Sequence, residues 1–222
     1  MAQQLGLNLP SVPALGRDDF LIAPSNALAV ALIDAWPNWQ GGKLVLSGPA
    51  GSGKTHLAHV WAARSGARII DATALQDADV PQLAEGPVAV EDVPNIAGTP
   101  AETALFHLHN LTLANGNSLL FTGLDPAARW PLSLPDLKSR LQGATAAEMA
   151  APDDTLLAAV MAKQFADRQI TPPANVIDYL LPRIDRSFAA AREIVARLDQ
   201  ASLAAKKPIT RTLAAKVLDK PG

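Results

Sequence analysis

The eight residues GPAGSGKT, Gly48 to Thr55, carry the spacing G-x-x-x-x-G-K-S/T that binds the phosphates of a nucleotide. Gly48, Gly51 and Gly53 let the backbone turn where a side chain would clash. A backbone turned in this way points N–H groups at phosphate oxygens, and a helix that follows adds the positive end of its dipole. The expected contacts run from Pro49 through Ala50, Gly51, Ser52, Gly53, Lys54 and Thr55 to His56. Lys54 is expected to reach the β- and γ-phosphates, and the Thr55 hydroxyl to help hold Mg²⁺.

Such a loop needs acids at the end of a neighbouring strand, one linked to Mg²⁺ and one orienting the attacking water. Val88-Ala89-Val90-Glu91-Asp92 supplies two, after an apolar run. Glu91 stands in the metal-linked place, where Asp is usual, and Asp92 in the catalytic place, where Glu is usual. The exchange moves each carboxylate by one methylene. It favours a protein that binds nucleotide and hydrolyses it slowly. The four histidines, His56, His59, His107 and His109, have no metal-ligand spacing.

Regular elements must position these groups. Lys43 to Ser47 reads as a buried strand entering the glycine loop, and His56 to Arg64 as the helix leaving it. Further strands are expected at 67–71, 87–92, 118–122 and 146–149. Helices are expected at 26–35, capped by Ser25, and at 102–115 and 134–142, with a weak helix or loop at 75–83. Alternation of this kind implies an α/β fold, a parallel sheet with helices on both faces. After Pro152 the strand signals stop, and helices are expected at 153–169, 175–181, 187–205 and 210–218. The chain therefore divides into an arm of residues 1–16, a nucleotide-binding α/β domain at 17–150 and a small all-helical domain at 151–222.

The whole chain has 222 residues, 49% hydrophobic and 18% charged, enough apolar content for a sizeable core. A net charge of −2 gives no basic footprint for sequence-specific DNA binding. Absence of cysteine excludes disulfides and thiolate metal sites. The first ten residues lack the pattern of a secretory signal, and no apolar run is long enough to cross a membrane. A cytoplasmic protein is expected.

Several segments are similar to one family. Phe20-Leu21-Ile22-Ala23-Pro24-Ser25-Asn26 resembles the lead-in of the DnaA-type AAA+ module. Gly53 to Leu57 resembles its P-loop exit, Leu119 to Gly123 its sensor 1 strand, and Ser139-Arg140-Leu141 the segment with its arginine finger. The fold implied is a P-loop AAA+ sheet followed by a helical lid. Gln4-Leu5-Gly6-Leu7-Asn8-Leu9 is similar to the short peptide that docks on the bacterial replicative sliding clamp, with Gln4, Leu5, Leu7 and Leu9 as its contacts. A clamp-binding arm and a DnaA-like module with no helix-turn-helix domain after it together resemble the DnaA/Hda family.

The resemblance implies a function. Members promote ATP hydrolysis by the initiator DnaA while seated on the clamp, the β subunit of DNA polymerase III. It implies a bound ADP or ATP with Mg²⁺, an adenine pocket formed by Asp19, Phe20, Ile22 and Asn26, and a trans-acting Arg140. Thr122 is the candidate sensor 1 residue. The family pattern has an Asp two positions further on, where this chain has Leu124 followed by Asp125. Arg186 and Arg192 bracket the sensor 2 position, and Arg192 is favoured because it lies one helical turn away on the same face. The partners implied are DnaA and the clamp, with self-association possible. The alternative is a self-assembling AAA+ ATPase such as a helicase loader of the DnaC type. Against it, about 16 residues precede the module, fewer than a helicase-binding domain needs. An initiator relic and a small-molecule kinase fit less well, the first for want of basic charge, the second because its lid is inserted in the core.

Overall fold

The computed structural model describes residues 16–17 and 20–219. Five strands form one sheet: β1 (Lys43–Ser47), β2 (Arg68–Asp71), β3 (Val88–Glu91), β4 (Leu119–Gly123) and β5 (Thr145–Glu148). Every pairing is parallel, and the order is β2-β3-β4-β1-β5. β1 is therefore an interior strand, paired on both sides by β4 and β5, and it carries the phosphate loop out of the sheet's carboxyl edge.

Alternation along the strands decides which residues meet which helices. Val45, Val88, Val90, Leu119 and Phe121 point to one face, packed with Leu105 and Leu108 of α4 (Pro100–Ala114) and Leu137 and Leu141 of α5 (Pro135–Gln142). A short helix, α3 (Val80–Leu83), edges that layer. Leu44, Leu46, Ala89 and Leu120 point to the other face, against Val30 and Ile33 of α1 (Ala27–Asp34) and Leu57 and Trp61 of α2 (Lys54–Ser65). The expected helix layers on both faces are present.

The C-terminal region has its own core. Leu157, Met161 and Phe165 of α6 (Asp154–Asp167), Val176 and Leu180 of α7 (Ala174–Leu180), Ile194 and Leu198 of α8 (Phe188–Ala205) and Ala214 of α9 (Arg211–Leu218) pack together. Side-chain oxygens fix three of its helix starts. Asp153 accepts from Leu156 N–H, Ser187 from Ala190 N–H and Thr210 from Leu213 N–H.

Two local readings change. Ser25 does not cap α1; the N-cap is Asn26, whose side chain makes no cap bond. Its amide turns back instead, accepting from Ala23 N–H at 2.9 Å and donating to Leu21 O at 3.0 Å. The ambiguous stretch near 75–83 is a 3-10 turn over Ala72–Asp77 followed by α3, each fastened by an aspartate, Asp71 and Asp79.

Candidate nucleotide site and the face opposite it

The glycine loop leaves β1 through three residues with φ between +72° and +148°, Gly48, Gly51 and Gly53. At Gly48 a Cβ would stand 2.3 Å from Met149 O, so the close approach to the chain after β5 requires glycine there. Lys54 opens α2 and is nearly buried. Its ammonium donates to Gly48 O at 2.7 Å and Pro49 O at 2.9 Å. Burial holds its pKa below the ordinary lysine value, while Asp92 and Glu91 act in the opposite direction.

Ala50, Gly51, Lys54 and Thr55 line a cleft with Asp92, Pro94, Asn95 and Leu124. The catalytic candidate Asp92 thus faces the loop directly. It sits in the left-handed region, φ 55° and ψ 44°, and its backbone N–H donates to the Thr122 hydroxyl at 3.0 Å. Glu91 ends β3 in register with Asp71 and does not line the cleft. Leu124 does, with 55% of its surface exposed.

A second crevice adjoins the first, between the core and the helical domain. Phe20, Leu21 and His56 form one wall; Val160, Lys163 and Gln164 of α6, with Phe188 and Arg192 of α8, form the other. Phe20 and Phe188 both come within about 3.3 Å of where a Cβ of Gly53 would be, so two aromatic edges meet over the loop. His56 holds an edge-on contact with Phe20 at 5.0 Å between centroids, and its Nε2 lies 3.2 Å from Gly16 O. Phe188 N–H donates to Gly51 O at 3.2 Å, so the helical domain is tied to the loop backbone itself.

The sequence-selected residues fall out as follows. Phe20, His56 and Arg192 converge on the crevice. Ile22 is 58% exposed and does not line it, and Asn26 is buried in the turn it stabilises. Arg186 points away, into an ion pair with Asp154 at 3.0 Å. Asp19, Gln4, Leu5, Leu7 and Leu9 lie outside the described residues. Leu21, Val160, Lys163, Gln164 and Phe188 were not readable as site residues, since four of them reach the loop from a domain more than 100 residues away in sequence.

The residues present fit a nucleotide. The Ser52 hydroxyl is buried within the loop and makes no hydrogen bond among the described residues, and the positive-φ glycines form a cradle that Cβ atoms would fill. Thr55 and Asp92 place oxygen donors of the kind Mg²⁺ takes on one cleft.

Residues 153–218 match the family model described as Hda, lid domain. Domain III of the replication initiation protein DnaA from Thermotoga maritima superposes with a TM-score of 0.80, at 18% identity, over 96% of this chain and all of that one. The chain thus has the fold of DnaA domain III, and its helical region is similar to an Hda lid. AMPPCP-bound DnaA from Aquifex aeolicus gives a TM-score of 0.74 at 16% identity, over 87% of this chain and 67% of that one. The Thermotoga maritima RuvB Holliday junction branch migration motor gives 0.66 at 16%, over 80% of this chain and 61% of that one. Among the described residues, no helix is long and apolar enough to cross a membrane.

Arg140 belongs to a different place on the molecule. It lies near the end of α5, five residues before Thr145, which pairs with Leu44 at the start of β1. The phosphate loop leaves the other end of that strand. Four residue steps of β1, about 13 Å of rise, separate the two ends. The exposed guanidinium stands over the Phe106 ring, 5.7 Å from its centroid. Glu102 anchors the approach to α5: its buried carboxylate accepts from Leu134 N–H, the Ser133 hydroxyl and Gly98 N–H.

Proposed function

We propose that this chain is a DnaA-related AAA+ regulator of replication initiation that binds adenine nucleotide between its phosphate loop and its lid and acts on a partner's ATP through Arg140. The observation that carries the reading is the position of Arg140. It stands at the end of the sheet opposite its own phosphate loop, so an arginine finger there serves the nucleotide of another molecule. The partner proposed is DnaA, whose domain III this chain resembles in fold.

The chain's own residues support slow turnover and tight holding. Nucleotide bound at the loop brings a triphosphate or diphosphate to Lys54, and Mg²⁺ would be held by Thr55 and by Asp92 or Glu91. Phe20 from the core and Phe188 and Arg192 from the lid close the site. The longer Glu91 and shorter Asp92 depart from the usual order, and an apolar Leu124 lines the cleft beside them. The proposed docking segment for the sliding clamp is Gln4 to Leu9, with Gln4, Leu5, Leu7 and Leu9 filling an apolar groove.

The test is ATP hydrolysis by DnaA in the presence of clamp-loaded DNA. Addition of the wild-type protein should accelerate it, and a Leu5→Ala/Leu7→Ala double variant should lose both the acceleration and clamp binding measured by fluorescence anisotropy. Unchanged hydrolysis with wild-type protein would leave the reading without support.

A further inference from the structure

We propose that Lys43 is a second cation of the trans-acting face, held beside Arg140 by His109, and that the two together receive the terminal phosphate of the partner's nucleotide. The inference rests on the reading of Arg140 given above and adds a residue that neither motif nor resemblance marks.

The geometry starts with α4. Phe106 and His109 are three residues apart, hence on one face of that helix and about one turn from each other. Arg140 lies over Phe106, and Lys43 Nζ lies 3.4 Å from His109 Nε2. The two cations therefore stand on neighbouring turns of a common support.

His109 is fixed. It is 1% exposed and stacks on Phe121, with centroids 6.5 Å apart and planes 19° from parallel. An ammonium has only donors, so Nε2 must accept from Lys43. The ring proton then sits on Nδ1, which lies 3.3 Å from Asn110 Oδ1, an acceptor. The two contacts require the same tautomer. A neutral imidazole locked in this way aims its lone pair at Lys43 and holds the lysine at the edge of β1.

Neither cation is matched by an acid. Among the described residues, no carboxylate forms an ion pair with Lys43 or Arg140. Asp136, one turn before Arg140 on α5, lines a small hollow with Phe106, Leu134 and Pro135 instead. Burial, with Arg140 as the second cause, holds the Lys43 pKa below the ordinary lysine value. A half-buried lysine beside an exposed arginine of like charge is unfavourable until an anion arrives. An arginine fork and a lysine point charge from two directions suit a phosphate with several free oxygens.

The experiment compares Lys43→Gln, Lys43→Arg, Arg140→Ala and the Lys43→Gln/Arg140→Ala pair, each melted first to confirm folding. The readout is the rate of DnaA ATP hydrolysis at saturating complex, with complex affinity measured separately by anisotropy. The expected result is that Lys43→Gln slows the stimulated rate by about tenfold or more, the weight of one charge-assisted hydrogen bond. Affinity should be unchanged, Lys43→Arg should restore most of the rate, and the double variant should be no slower than Arg140→Ala. Full stimulation by Lys43→Gln, where Arg140→Ala abolishes it, would overturn the role of Lys43 alone. No stimulation by wild type would remove the reading of Arg140 and this inference with it.

Discussion

The Thr122 hydroxyl on β4 accepts a hydrogen bond from the Asp92 backbone N–H just past β3, at 3.0 Å, and Asp92 is one of three non-glycine residues with positive φ among those described. An L-residue in that region costs roughly 1–2 kcal/mol. The bond to the hydroxyl of the buried Thr122 on the adjacent strand offsets part of it and sets the direction of the acid over the cleft. Thr122 therefore acts on Asp92 as a positioning residue, whatever further contact its hydroxyl proton makes.

Thr122→Val keeps the shape and removes the acceptor. A fully buried backbone donor left unpaired costs about 1–3 kcal/mol, and this partly buried one sets the loss at the low end of that range. Urea unfolding should report a loss of that size, while Thr122→Ser should recover most of it. Equal midpoints for wild type and Thr122→Val would show that the bond carries no weight.

Lys54→Ala should abolish ADP binding. In wild-type protein, saturating ADP should raise the melting temperature, since a ligand at 100 times its Kd stabilises the native state by about 2.7 kcal/mol. The shift should vanish in the variant. A wild-type melting curve indifferent to ADP would count against a nucleotide site at this loop.

Gly51 couples the loop to the lid. A Cβ there would lie 2.2 Å from Ser187 Cβ, and φ is +72°. Gly51→Ala should push the start of α8 off the loop. Amide exchange at Phe188, whose N–H is bonded to Gly51 O, should rise sharply, with the α9 amides little changed. Unaltered protection at Phe188 would contradict the contact.

Glu102 gives a pH signature. Burial alone would raise its pKa, but hydrogen bonds from Leu134, Gly98 and Ser133 prevail and hold it below the ordinary value of 4.5. A depressed folded pKa contributes stability above the unfolded pKa and loses it as pH falls through the folded one. Glu102→Gln should therefore be less stable than wild type at neutral pH. The gap should narrow below about pH 4.5 and close under stronger acid. A gap independent of pH would remove the carboxylate from the account.

Local chemistry was legible in the sequence where it is written in consecutive residues. GPAGSGKT requires its strand and helix on either side, and each of the five runs read as a strand became a parallel strand. The acids at 91 and 92 were readable as a pair; that Asp92 alone lines the cleft depends on a left-handed turn that periodicity does not encode. Asn26 looked like a pocket residue because it sits in the lead-in segment, yet its amide is spent on Leu21 and Ala23. Lys163, Gln164 and Phe188 escaped because docking of the lid brings them to the loop. Lys43 and His109, 66 residues apart, meet only because α4 crosses the amino end of β1.

The most direct measurement is single-turnover ATP hydrolysis by DnaA, with clamp-loaded DNA and either the wild-type protein or Arg140→Ala, at concentrations where anisotropy shows equal complex formation. The account predicts that the variant still binds ADP and the clamp but loses the stimulation by a factor of about 10³ or more, the scale of an arginine finger. Full stimulation by Arg140→Ala would contradict the assignment of this arginine, and with it the claim that the far end of the sheet acts on a partner's nucleotide.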